Sequence, residues 1–158
     1  MGEKQEEGFI RTSSNMDRVL FFCGILFFLS CSNEIQEDPI PFTIFDNIEI
    51  NLASIEYFDL TTKGYMLISG GVKGIILYKN PFKEEYIAYE RNCSYLPLDD
   101  KAIVEIDESS LFMVDHSCKS EFNFEDGWPR GGAATFPLRK YRTIVNGNLL
   151  IITDEPLQ

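Results

Sequence analysis

From Phe42 to the end of the chain, apolar residues come in short runs broken by turn residues, and no stretch of useful length repeats at helical spacing. Runs rich in β-branched and aromatic residues, each bounded by a breaker, predict strands over Ile48–Leu52, Gly64–Ser69, Gly74–Lys79, Tyr86–Arg91, Ala102–Ile106, Leu111–Val114, Glu121–Phe124, Lys140–Val145 and Asn148–Thr153. Asn146-Gly147 predicts a tight hairpin, because both residues tolerate the positive φ that such a turn demands. Asn80-Pro81, Asp99-Asp100 and Asp126-Gly127 mark further turns. Ala53–Asp59 fits a strand and a short helical turn equally well, and no internal repeat is visible. The pattern predicts an all-β domain over 42–158, its antiparallel meanders closing into a sandwich or small barrel.

Ahead of this domain the pattern changes. Val19 to Leu29 is one uninterrupted apolar run, shorter than the roughly 20 residues that span a bilayer as a helix. Arg18 precedes it and Ser30-Cys31 closes it, the layout of a secretory signal over 1–30. Residues 1–15 are acidic and polar, unusual ahead of an apolar core, so translation is expected to start at Met16. Phe28-Leu29-Ser30-Cys31 resembles the lipobox of bacterial lipoproteins, although a leucine is usual where Phe28 stands. That resemblance implies a diacylglycerol on the Cys31 thiol and cleavage just before it; an ordinary signal peptide cut near Ser30 is the alternative. Residues 31–41, with the acidic stretch Ser32-Asn33-Glu34-Ile35-Gln36-Glu37-Asp38 and then Pro39 and Pro41, have the composition of a flexible tether. They look like the acidic tract of Bacteroidetes-type surface lipoproteins. Two or more acyl chains anchor stably where one is marginal. The expected location is therefore the cell envelope, lipid-anchored at the outer membrane or cell surface, with the membrane itself as one partner.

Composition narrows the partners further. A formal net charge of −11 argues against nucleic acid, because phosphate binding needs a basic face, and against purely electrostatic binding to anionic headgroups. At 158 residues the chain has enough material for one core. Of its four cysteines, Cys23 and Cys31 fall in the leader, which leaves Cys93 and Cys118 to the domain.

Two loops carry the remaining chemistry: Arg91-Asn92-Cys93-Ser94-Tyr95-Leu96-Pro97 and Asp115-His116-Ser117-Cys118-Lys119-Ser120-Glu121-Phe122. With Asp126-Gly127, Gly131-Gly132-Ala133-Ala134-Thr135-Phe136-Pro137-Leu138 and the final hairpin, their order resembles the Rieske [2Fe–2S] domain family from about Gly64 to Ile152. In that family one loop with C-x-H and a second with C-x-x-H sit on a small subdomain inserted into an antiparallel β sandwich. The resemblance implies that architecture here, with the former cluster-binding subdomain at about 91–137. Ser120-x-Phe122 sets the register, so the cluster-ligand positions fall on Cys93, Tyr95, Asp115 and Cys118.

Rieske centres hold one iron through two thiolates and the other through two imidazoles. Only Cys93 keeps the family's residue, and the whole chain has one histidine, His116. No cluster, and no other cofactor, is therefore expected. Across the altered site the resemblance brings Cys93 and Cys118 face to face. In an oxidising compartment such a pair forms a disulfide, worth about 3–4 kcal/mol for a loop of this length, or else stays as two free thiols. Asp115, His116, Cys118 and Cys93 are zinc-competent donors, but their spacing matches no standard zinc pattern and no metal site is expected. Glu84-Glu85 and Asp99-Asp100 are solvated acids, as neighbours on a strand face opposite sides. Trp128 either packs over the subdomain or offers a docking aromatic.

No nucleophile motif or phosphate-cradling loop is present, so no enzyme is expected. These features imply a lipoprotein whose Rieske-like domain is a structural or binding module, meeting an unknown protein or ligand at the former cluster loops around Tyr95-Leu96-Pro97 and Trp128. The alternative is a redox protein with an atypical [2Fe–2S] cluster or a Cys93–Cys118 redox disulfide.

Overall fold

The computed structural model describes residues 38–157, so the signal segment and Cys31 lie outside the described residues. Ten strands and little helix make up the domain. They are β1 (Ile48–Asn51), β2 (Tyr65–Ile68), β3 (Ile75–Lys79), β4 (Tyr86–Glu90), β5 (Val104–Ile106), β6 (Met113–Asp115), β7 (Ser120–Phe122), β8 (Pro129–Gly131), β9 (Lys140–Asn146) and β10 (Leu149–Leu157). The larger sheet runs β1-β10-β9-β4-β3-β2 and the smaller β5-β6-β7-β8, every pairing antiparallel. The smaller sheet is inserted between β4 and β9, which are themselves neighbours in the larger one. Among the described residues no helix is long and apolar enough to cross a membrane.

The strand sequences explain which faces are buried. Side chains alternate across a strand, so Ile76 and Tyr78 of β3 join Ile87 and Tyr89 of β4 on one face, while Ile75 and Leu77 join Ala88 on the other. Ile75, Ile76 and Leu77 are all fully buried, as a central strand covered on both faces requires. One core forms where the first face meets the inserted sheet, through Val104, Met113, Phe122, Phe124 and Leu138. The other gathers Ile50, Leu60, Tyr141, Leu150 and Ile152. Leu60 comes from α1 (Phe58–Thr62), which follows a 3₁₀ turn at Ile55–Tyr57 capped by the Ser54 side chain; the ambiguous segment is thus helical.

Three local features differ from the pattern-based expectation. The final hairpin turns on Gly147-Asn148, one residue later than expected, because Asn146 still pairs with Leu149 and only Gly147 takes positive φ, at 59°. That matches a turn with glycine at its first central position. β8 was not foreseen: it begins on Pro129, which lacks a donor and is tolerated because β8 is an edge strand. Asp38–Pro41, assigned by composition to the tether, is held by the buried Arg139. Its Nε bonds Asp38 Oδ2 at 2.6 Å and its other nitrogens reach the carbonyls of Pro41 and Ile40.

A buried carboxylate ties the two sheets' loops together. Glu90 shares its strand face with Tyr86 and Ala88 and points inward. Its Oε2 accepts from Val72 N–H (2.7 Å) and Tyr141 O–H (2.7 Å), and its Oε1 from Lys73 N–H (3.0 Å) and Asn92 N–H (2.7 Å). The turn approaches so closely that a Cβ on Gly71, whose φ is +64°, would collide with Glu90 Oε2. Lys73 in turn donates through Nζ to the carbonyls of Asp99 and Ala102, in the loop that follows Cys93.

Candidate functional site

The site forms where the loop after β4 meets the β6–β7 hairpin. Asn92 bridges to Ile103 and Cys93 N–H bonds Ala102 O at 3.1 Å, which sets Cys93 into the core beneath the inserted sheet. In the hairpin, Asp115 stands opposite Ser120 and Met113 opposite Phe122. Alternation places Asp115 and Ser120 on the same inward face as Met113 and Phe122, and all four are fully buried.

The four-residue loop His116–Lys119 then folds back over that face. Asp115 Oδ1 accepts from Ser117 N–H (2.8 Å) and Ser117 O–H (2.7 Å), an Asx-type turn, and Lys119 closes the loop at a φ of 61°. This turn carries Cys118 inward, with its Sγ 3.0 Å from Ser120 Oγ. Ser120 Oγ also accepts from the N–H groups of Ala133 (3.1 Å) and Ala134 (2.9 Å), fixing the glycine-rich loop against the hairpin. Gly132 has a φ of +88° there, and a Cβ on it would overlap the backbone of Lys119 and Ser120. On the first loop, Ser94 O–H reaches Phe136 O at 2.7 Å and Asn92 Nδ2 reaches Pro97 O at 3.1 Å.

The result brings Cys93, Asp115 and Cys118 together, with the two sulfurs and a carboxylate oxygen all within 4.8 Å of one another. The sulfurs are 3.8 Å apart and both cysteines are free thiols. Burial pushes the Cys93 thiol far up; the Tyr95 N–H opposes this and the Asp115 carboxylate adds to it, leaving the thiol protonated at neutral pH. For Asp115, burial pushes the carboxyl up, but the Ser117 bonds and the neighbouring thiols outweigh it and hold the group below the usual carboxylate range. The thiols do this without completing a well-formed hydrogen bond to Oδ2, which has no partner although it is buried.

Of the four cluster-ligand positions read from the sequence, the fold gathers Cys93, Asp115 and Cys118. At the fourth, Tyr95 is part-exposed. His116 stays outside the group: it is exposed, with Nε2 3.8 Å from Glu105 Oε2. Trp128 is half exposed. A [2Fe–2S] centre of the Rieske type does not fit this donor set, because the one imidazole of the chain faces solvent and a carboxylate stands with the sulfurs. Sequence reasoning missed Glu90 and Tyr141, which hold the first loop in place. Strand periodicity was the available signal, since it puts a charged residue on an inward-facing position.

No family model matches the chain, and no curated protein matches it. Among solved structures, the domain is similar to the cyanobacterial plasma membrane Rieske protein PetC3 from Synechocystis PCC 6803, at 20% identity and a TM-score of 0.51, over 66% of this chain and 98% of that one. It is also similar to a chain of the complex of reduced oxygenase and oxidized ferredoxin in carbazole 1,9a-dioxygenase. That match has 16% identity and a TM-score of 0.47, over 70% of this chain and 97% of the other. At 20% identity the first likeness concerns the fold: the chain carries a Rieske-like all-β domain with an inserted subdomain.

Proposed function

We propose that this chain is a lipid-anchored envelope protein whose Rieske-like domain works without an iron–sulfur cluster, as a structural or binding module. The observation that carries this reading is the donor set at the two loops, Cys93, Asp115 and Cys118 with no imidazole among them. Fold and function are separable, so the architecture does not bring electron transfer with it. The leader and the Cys31 motif supply the anchor.

The partner meets the domain at the former cluster loops, where Tyr95 (38%), Leu96 (59%), Leu98 (86%) and Trp128 (50%) keep apolar surface exposed. Large exposed apolar residues on loops held by a rigid scaffold are what a docking surface uses. Crosslinking in cells to Tyr95→Ala and Trp128→Ala variants tests this: loss of partners captured by the wild-type chain supports the surface, and an unchanged set removes it. Metabolic labelling with a fatty acid, lost in Cys31→Ser, tests the anchor.

A second reading is favoured by the 3.8 Å approach of the two sulfurs. A dithiol this close forms a reversible disulfide after small side-chain movement, and the domain would then act through its redox state. A measurable equilibrium with glutathione would support it.

A further inference from the structure

Asp115 is the feature that neither a binding module nor a thiol pair explains. It is fully buried, its Oδ2 has no hydrogen-bond partner, and none of the ion pairs among the described residues includes it. Ser117 satisfies Oδ1, but a buried carboxylate oxygen left without a donor is costly.

A cation between the three donors resolves the imbalance. Two sulfurs each about 2.3 Å from a tetrahedral zinc stand about 3.8 Å apart, whereas a disulfide needs about 2.05 Å. The observed separation of 3.8 Å, ordinary contact for two thiols, accommodates the former without moving the sulfurs, and a carboxylate oxygen within 4.8 Å of both sulfurs completes a third corner after a shift of about 1 Å. The spacing of these residues along the chain matches no standard pattern, but the hairpin and the loop after β4 bring them together regardless.

We propose that Cys93, Cys118 and Asp115 bind one divalent metal ion of the zinc class, with a fourth tetrahedral position left for water or a small exogenous donor. Thiolate ligands select zinc-class ions over magnesium and calcium, and three protein ligands with one open position is the arrangement of a site that takes an exchangeable ligand. Cysteine binds such ions as thiolate, so binding releases protons to solvent and affinity rises with pH. Ser120 orients Cys118, the role that partners of metal ligands usually play. The inference rests on the reading above that no iron–sulfur cluster occupies these loops.

The test uses the full chain in mild detergent, reduced and stripped of metal under anaerobic conditions, titrated with cobalt(II) and then zinc. One equivalent of cobalt should give a thiolate-to-metal charge-transfer band with intense tetrahedral ligand-field bands, which zinc displaces. A Cys93→Ser/Cys118→Ser variant of the same chain measures any contribution from Cys23 and Cys31, and should lack the bands. Asp115→Asn, close to isosteric, should weaken binding at least tenfold, and His116→Ala should leave it unchanged. A far-ultraviolet dichroism spectrum matching wild type shows that each variant is folded. Absence of the bands in the reduced wild-type chain overturns the proposal, as does undiminished affinity in folded Asp115→Asn, or protein isolated without reductant that is metal-free with Cys93 bonded to Cys118. Iron with acid-labile sulfide would defeat the cluster-free reading as well; failure to bind any metal defeats this inference alone.

Discussion

Replacing Glu90 by glutamine changes almost no volume and is expected to cost as much as a large core truncation. Each carboxylate oxygen accepts two hydrogen bonds, Oε2 from Val72 N–H and Tyr141 O–H and Oε1 from Lys73 N–H and Asn92 N–H. A glutamine has one oxygen, so in either orientation its NH₂ faces two donors and two hydrogen bonds to a charged group are lost. At about 1.5–3 kcal/mol each, with partial relief from removing a buried charge, the expected loss is about 3–5 kcal/mol. Tyr141→Phe removes a single donor while Val72 N–H still serves the same oxygen, and should cost about 1–2 kcal/mol. Equilibrium urea unfolding of the full chain in mild detergent, followed by far-ultraviolet dichroism, measures both, with an unchanged slope showing that only stability moved. Because Asn92 adjoins Cys93, Glu90→Gln should also speed alkylation of that thiol. A Glu90→Gln variant within about 1 kcal/mol of wild type would refute the network as a source of stability.

Other substitutions probe separate parts of the account. Ser120→Ala strips the acceptor from the N–H groups of Ala133 and Ala134 and should cost about 1–3 kcal/mol by the same unfolding measurement, with Cys118 alkylating faster. Arg139→Ala should release Asp38–Pro41, seen as faster hydrogen exchange and protease cleavage there while the sheets stay protected. Tyr89 and Tyr141 have phenols pushed far up by burial, with neighbouring acids adding to the effect, Glu90 at Tyr141 and Asp126 at Tyr89. A raised folded-state value means their contribution to stability is present below the ordinary tyrosine range, near pH 10, and is lost as pH climbs beyond it. Spectrophotometric titration should accordingly show these two phenols ionising only with unfolding; their ionising with the exposed tyrosines would contradict their burial.

The strands were legible wherever a run alternated or was continuously apolar, as in Tyr86–Glu90 and Ile75–Lys79, because burial of one or both faces of a sheet dictates such patterns. β8 was not, since Pro129 and Gly131 lower strand propensity and only the pairing of Pro129 with Phe122 and Gly131 with Glu121 makes it a strand. The continuation of β10 through Pro156 past the irregularity after Ile152 was hidden for a similar reason. At the site, the register inferred from Ser120-x-Phe122 put Asp115 and Cys118 at equivalent positions, and the hairpin does bring them to Cys93. A solvent-facing His116 was the reading from the sequence, and the hairpin bears it out; what no local pattern conveyed is that Asp115 is buried with one oxygen unpartnered. Adjacent residues on an extended chain diverge, and which of them points inward is set by the pairing of β6 with β7.

The central claim, a Rieske-like fold without its cluster, is tested most directly by analysing the protein as isolated anaerobically from its native cells, with no reconstitution. The account predicts iron and acid-labile sulfide far below one per chain and no paramagnetic signal after reduction. Two irons and two sulfides per chain, with the resonance signature of histidine-ligated iron, would contradict it.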